Sequence, residues 1–160
     1  MPFYTGIQVL EKVWEDVIMT DDITYLVNDT QGLHVNMSYG GQDKQWRHHF
    51  IDIWLTLEPV IVKNLPIYRQ NSEYALPLTS KKYRRSDKYI VALEKYVAVS
   101  LRNPGRIEVR IYQGTMDIAE IIDWTAFCVQ LLAIAIIDSR MSYDEIFELL
   151  PANLQRFILL

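Results

Sequence analysis

The sequence predicts an α+β fold: a single domain in which a small antiparallel sheet of two hairpins packs with about four to five helices. Three observations carry that expectation. Apolar residues recur at three- and four-residue spacing near both ends of the chain. They alternate with polar residues in short segments of the middle, at 33–39, 97–101 and 106–112. The strand-like segments come in neighbouring pairs rather than alternating singly with helices, which argues against a parallel sheet. At 160 residues, half of them apolar, with six Gly and six Pro, one domain with a sizeable core is expected and long disordered tracts are not.

The first helix is expected over 6–19. Thr5 is its N-cap candidate and Gln8 closes a capping box. Val9, Leu10, Val13, Trp14, Val17 and Ile18 then share one face, with Glu11, Lys12, Glu15 and Asp16 on the wet side. Segments 23–28 and 33–39 read as a hairpin around Asp29-Thr30-Gln31-Gly32, with Leu33, Val35 and Met37 inward. Segment 43–58 carries two periods. Trp46, Phe50, Ile53, Trp54 and Leu57 form a helical stripe behind Asp43, while Ile51, Ile53, Leu55 and Leu57 alternate as a strand would. Helix is the favoured reading, and Pro59 is expected to end it.

Segment 69–88 is polar and irregular, a long connection of the kind that is mobile or functional. The clearest strands are 89–101 and 106–112, joined by a turn at Asn103-Pro104-Gly105, with Lys95 marking a bulge. Asp117 with Glu120 opens a helix expected to reach about 138, and Ser142 with Glu145 opens a shorter one. Pro151 suits the first turn of a last segment, 151–158. The run Trp124–Ile137 is apolar on nearly all sides and reads as a buried core helix. Its fourteen residues fall short of the roughly 20 a membrane span needs.

Charge is distributed unevenly. In 69–88, Arg69, Lys81, Lys82, Arg84, Arg85 and Lys88 outnumber Glu73 and Asp87, leaving +4 there. The net charge of −4 then places −8 on the remainder. A basic loop on an acidic body points to an anionic partner: a membrane surface, a nucleic acid or an acidic protein. Lys81, Lys82, Tyr83, Arg84, Arg85 and Lys88 are the candidate residues, with tyrosines available to stack on bases. An acidic body can equally receive the basic loop of a neighbouring copy, a head-to-tail contact.

The other motifs point to dull roles. His48-His49 and His34 lack the spacing of a metal site, and neither a metal nor a cofactor is expected. Cys128 is the sole cysteine and lies in the apolar helix. No disulfide can form within the chain, which fits a reducing, intracellular compartment. The N-terminus has neither a basic n-region nor a myristoylation glycine, and no transmembrane segment is expected. No phosphate-loop, dinucleotide, nucleophile-elbow or CxxC motif occurs, so catalysis is not expected. The chain ends on Phe157, Ile158, Leu159 and Leu160, which must fold back on the core or meet another subunit; folding back is the favoured reading, and self-association is the role assigned to them.

Together these features suggest a non-enzymatic protein that self-associates as a homo-oligomer and contacts an anionic partner. Virus matrix or assembly proteins are the functional analogy, with peripheral membrane contact compatible. The alternatives are a small acidic inhibitor or immunity-type protein binding one basic target through acids such as Glu11, Glu15 and Asp16, or a nucleic-acid-binding module.

Overall fold

The computed structural model describes residues 3–15, 27–28, 30–40, 45–83, 86–102, 104–137 and 140–160. Among them lie seven α-helices and one antiparallel sheet of three short strands, an α+β domain as expected. Helix α1 spans Phe3–Val13 and strand β1 Val35–Met37. Helix α2 spans Trp46–Asn64, and short helices α3 and α4 span Ile67–Gln70 and Lys88–Val91. Strands β2 (Val99–Ser100) and β3 (Ile107–Val109) follow, then α5 (Ile118–Ile137), α6 (Tyr143–Leu149) and α7 (Ala152–Gln155). Single 3-10 turns occupy Lys81–Tyr83 and Arg156–Ile158.

The sheet order is β1-β3-β2. Val35 faces Val109 and Met37 faces Ile107, while Val99 faces Val109 from the other edge. These valines, Met37 and Ile107 are buried, whereas Asn36 is exposed and Glu108 half-buried. The period of two that marked 33–39 and 106–112 therefore holds. Pro104-Gly105 joins β2 to β3, and Gly105 sits at φ 74°, a left-handed conformation that glycine adopts without strain. The first arm of the expected first hairpin falls largely on residues outside the described ones, 23–26, and β1 takes β3 as its partner.

Segment 89–101 is largely not a strand. Asp87 accepts hydrogen bonds from the N–H groups of Tyr89 (2.8 Å) and Ile90 (3.3 Å) and starts α4 there. That N-cap outweighs the β-branched composition. Lys95 is exposed and precedes the strand rather than bulging it. Extended pairing resumes at Val97, which bridges in parallel to Leu76.

The helical stripe of 43–58 prevails over the alternation, but α2 runs through Pro59 to Asn64. Asp43 lies outside the described residues, and α2 begins without a side-chain cap at Gln45. An interior proline costs about 3 kcal/mol. Ile61 beyond it is 1% exposed, and such burial returns about 1.5–3 kcal/mol. Pro59 itself faces solvent. Helix α1 starts earlier than expected, so that Thr5 and Gln8 lie within it; residues 16–19 are outside the described residues.

Helix α5 packs against α2 and forms the centre of the core. At 20 residues it is longer than its uninterrupted apolar run, and it is apolar and long enough to cross a membrane by length and composition. Here Trp124, Phe127, Cys128, Leu131, Leu132, Ile134 and Ala135 are buried within the chain itself, the packing of a core helix. At the start of α5, Asp117 caps the N–H groups of Ala119 and Glu120. The capping box is not completed, because the Glu120 carboxylate is drawn to Tyr112 and Gln113 instead. The Ser142–Glu145 box of α6 is complete.

The C-terminal segment folds back. Phe157 and Ile158 are 7% and 0% exposed, and Phe157 meets Trp124 edge-on at 5.2 Å. Asn64 of α2 donates to the carbonyls of Phe157 and Leu159, and the Tyr143 hydroxyl donates to that of Ile158. The expected self-association role is thus corrected for Phe157 and Ile158, which the chain's own core consumes. Leu159 and Leu160 remain exposed.

Candidate functional site

Residues 77–83 form a held turn rather than a loose loop. Glu58, fully buried on α2, accepts hydrogen bonds from Trp54 Nε1 (2.9 Å), Leu78 N (2.8 Å) and Thr79 N (2.7 Å). Those three donors replace the water its carboxylate gives up on burial. From the other side the Lys88 ammonium donates to the carbonyls of Leu78 (2.6 Å) and Tyr83 (3.0 Å). The Tyr83 ring is buried, and its hydroxyl donates to Glu94 at 2.9 Å. Burial, reinforced by that carboxylate, pushes its pKa up.

These contacts revise the basic cluster residue by residue. Tyr83 is an anchor and has no ring face to offer a base. Lys88 is a brace for the backbone. Arg69 is 2% exposed and donates to the carbonyls of Ile111 (3.1 Å) and Arg110 (2.7 Å). A Cβ on Gly32 would come within 2.7 Å of that guanidinium, so the close approach requires glycine. Arg84 and Arg85 lie outside the described residues. Lys81 and Lys82 are exposed, and neither makes an ion pair among the described residues. Lys82 Nζ stands 5.1 Å from the Tyr83 ring centroid. Both lysines border a groove of about 490 Å³ whose other walls include Pro59, Val62, Pro77 and Ser80. Ser80 Oγ is buried there without a hydrogen-bond partner.

A larger cleft, about 720 Å³, opens between the end of α2, the start of α5 and the C-terminal 3-10 turn. Asp117, just before α5, and Glu120 and Asp123 on its first turns line it at three-residue spacing. Tyr112 lies flat on Trp124, with centroids 4.2 Å apart and planes at 17°, and Phe157 meets Tyr112 edge-on at 5.8 Å. Tyr112 Oη and Gln113 Nε2 donate to the same Glu120 oxygen at 2.6 and 2.7 Å. Burial, then the Glu120 carboxylate, push the Tyr112 pKa up. Arg156 pairs with Asp123 at 2.9 Å and lies 4.9 Å over the Phe157 ring. Asp117 and Glu120 have no ion-pair partner among the described residues. Trp124 Nε1 and Gln113 Oε1 are buried without hydrogen-bond partners.

The cleft was missed in the sequence because Asp117 and Glu120 were read only as helix caps. The signal was the three-residue spacing Asp117-Glu120-Asp123 ahead of Trp124. Glu11 and Glu15 of the alternative reading wall a separate hollow of about 560 Å³ together with Lys12, Trp14 and Ile118; Asp16 is outside the described residues.

The histidines are held by the chain. His49 Nδ1 is 3.1 Å from the Ala135 carbonyl, and His48 packs on the Tyr89 ring at 4.6 Å. His34 reaches Glu108 at 3.3 Å, and Arg110 pairs with the same carboxylate at 2.7 Å. Burial, then Arg110, lower the His34 pKa. Among the described residues no three His, Cys, Asp or Glu side chains group to hold a metal ion. No protein-family model matches the chain, and no curated protein or solved structure matches it.

Proposed function

We propose that this chain is a non-enzymatic interaction protein of the assembly type, acting inside the cell, that presents the Lys81–Lys82 turn to an acidic protein surface. The observation that carries this reading is the rigid bracing of the turn. Buried Glu58 and half-buried Lys88 hold its backbone, while two lysines without ion-pair partners project from it. Binding to a pre-ordered turn avoids most of the cost of ordering a loop. The groove beside the lysines has apolar walls at Pro59, Val62 and Pro77, which suit a peptide chain. Tyr83 is unavailable for stacking, which disfavours a nucleic acid. Cys128 is fully buried and burial pushes its pKa up, so its thiol stays protonated and inert.

The test is binding to poly-glutamate, with phosphatidylserine vesicles and single-stranded DNA as comparisons. Salt-sensitive binding to poly-glutamate, lost in the Lys81→Glu/Lys82→Glu variant, is expected. Equal binding by that variant, or preference for vesicles or DNA, overturns the reading.

The acidic cleft favours a second reading, a protein that binds one basic target. In that case Lys81→Glu/Lys82→Glu leaves function intact and a positive charge placed in the cleft abolishes it.

A further inference from the structure

The braced turn and the acidic cleft lie on different sides of one helix. Pro59 and Val62 of α2 wall the groove beside Lys81 and Lys82, whereas Ile61 and Asn64 wall the cleft. At about 100° per residue these pairs face well apart. The turn is also tied to α2 through Glu58 and to α4 through Lys88, so it does not swing round to the cleft of its own chain.

The cleft is built to take a cation. Asp117 and Glu120 bring two carboxylates that form no ion pair among the described residues, although Asp117 Oδ1 caps α5 and Glu120 Oε1 accepts from Tyr112 and Gln113. Gln113 Oε1 is a buried acceptor without a donor, and Trp124, fully buried on the cleft wall, holds an indole N–H without an acceptor. An incoming lysine turn carries ammonium groups that pair with the cleft's carboxylates. Arg156 already shows how this wall treats a cation. Its guanidinium is held between the Asp123 carboxylate at 2.9 Å and the face of Phe157 at 4.9 Å.

We propose that the cleft at the start of α5 receives the Lys81–Lys82 turn of a second copy of this chain. The proposal rests on the reading of that turn as the surface that seeks an acidic protein, and it names the partner. Charge complementarity selects the occupant: the turn presents Lys81 and Lys82, exposed and without ion-pair partners among the described residues, and the cleft presents Asp117 and Glu120. Because the two surfaces differ, the contact is heterologous. Each copy uses its turn on one neighbour and its cleft on another, and the assembly closes into a ring or grows as a filament.

Light scattering after size exclusion, at low and high salt over a range of concentration, tests this with two variants. Lys81→Glu/Lys82→Glu disables the turn. Ala119→Lys places a cation on the cleft wall at an exposed helical position whose side chain makes none of the contacts above; the Ala119 N–H bond to Asp117 is backbone and is kept. The wild type is expected to grow beyond 18.8 kDa at low salt, and each variant alone to associate about tenfold or more weakly. An equimolar mixture of the two variants retains one working turn and one working cleft, so it forms dimers and stops there. A wild type that stays monomeric, growth that either variant leaves unchanged, or a mixture that stays monomeric overturns the proposal. If poly-glutamate binding still depends on Lys81 and Lys82 in any of those cases, the reading of the turn survives and only its partner is wrong. If that dependence is also absent, both fall.

Discussion

Glu58 and Lys88 hold the two backbone polar groups of a single residue, Leu78. Its N–H donates to the Glu58 carboxylate at 2.8 Å, and its carbonyl accepts from the Lys88 ammonium at 2.6 Å. Two charged side chains, thirty positions apart in sequence, thereby hold one point of the chain from opposite sides. Truncating either is expected to loosen the basic turn. Glu58→Ala leaves three buried or half-buried N–H groups without an acceptor and should cost about 3–5 kcal/mol. Glu58→Gln keeps one acceptor and should cost less. Lys88→Met strands two carbonyls, at about 1–2 kcal/mol. Urea unfolding of the singles and the double measures the costs, and a coupling near zero would show that the two do not act on a common element.

Alkaline pH should weaken the fold through Tyr89. Its hydroxyl donates to Asp52 at 2.6 Å, and that bond, followed by burial, pushes its pKa up to about 12. The folded state holds this proton more tightly than the unfolded state does. The resulting stability is complete below pH 10, the ordinary tyrosine value, and is lost as pH rises through about 12. Tyr89→Phe removes the contribution, so its unfolding free energy should fall less steeply than that of the wild type between those values. Equal slopes would mean that the Asp52 contact is not formed in solution.

At the C-terminus, stability and exposure should separate within four residues. Phe157→Ala empties a site bounded by Tyr112, Trp124 and Phe127 and is expected to cost about 3–5 kcal/mol. Deleting Leu159 and Leu160, which are 51% and 84% exposed, removes one hydrogen bond from Asn64 and should cost about 1 kcal/mol or less. Thermal melts of the two variants make the comparison. A large loss from the deletion would place those leucines against the chain itself.

Pro59→Ala is expected to stabilise. The position is helical, solvent-facing and interior to α2, where alanine is favoured by about 3 kcal/mol. The stiffer unfolded chain of the proline form returns part of that, about 0.4–1 kcal/mol. A net gain of about 2 kcal/mol in denaturant unfolding is the expected outcome. A loss would show that the proline ring is needed for the groove wall beside Val62.

Much of the architecture was legible from local pattern. The stripe from Trp46 to Leu57, the apolar run of α5, the Ser142–Glu145 box and the Pro104-Gly105 turn each depend on neighbours in sequence, and each formed as read. The errors share a physical origin in partners distant along the chain. Nothing near Val35 signals that it will pair with Val109, 74 positions on. Pro59 does end helices by local rules, yet burial of Ile61 against the core carries α2 onward. The candidate site shows the same division. The charge of the 81–88 cluster was evident, but which of its members are consumed internally depends on Glu58, Glu94 and the carbonyls of Leu78 and Tyr83. Asp87 was the local signal passed over, an N-cap one residue before α4.

Placing β3 at the centre of the sheet has a consequence for biosynthesis. β1 emerges from the ribosome early, but the strand it pairs with is made only after α2, both short helices and β2. During translation at about 5–20 residues per second, Val35 and Met37 therefore wait several seconds for the β3 edge they join. A chain interrupted before residue 107 would leave both outer strands without β3, the kind of exposed edge that recruits other chains. Newly made protein should depend most on chaperones within that window, and cells that stall there should accumulate aggregates rather than a smaller folded product.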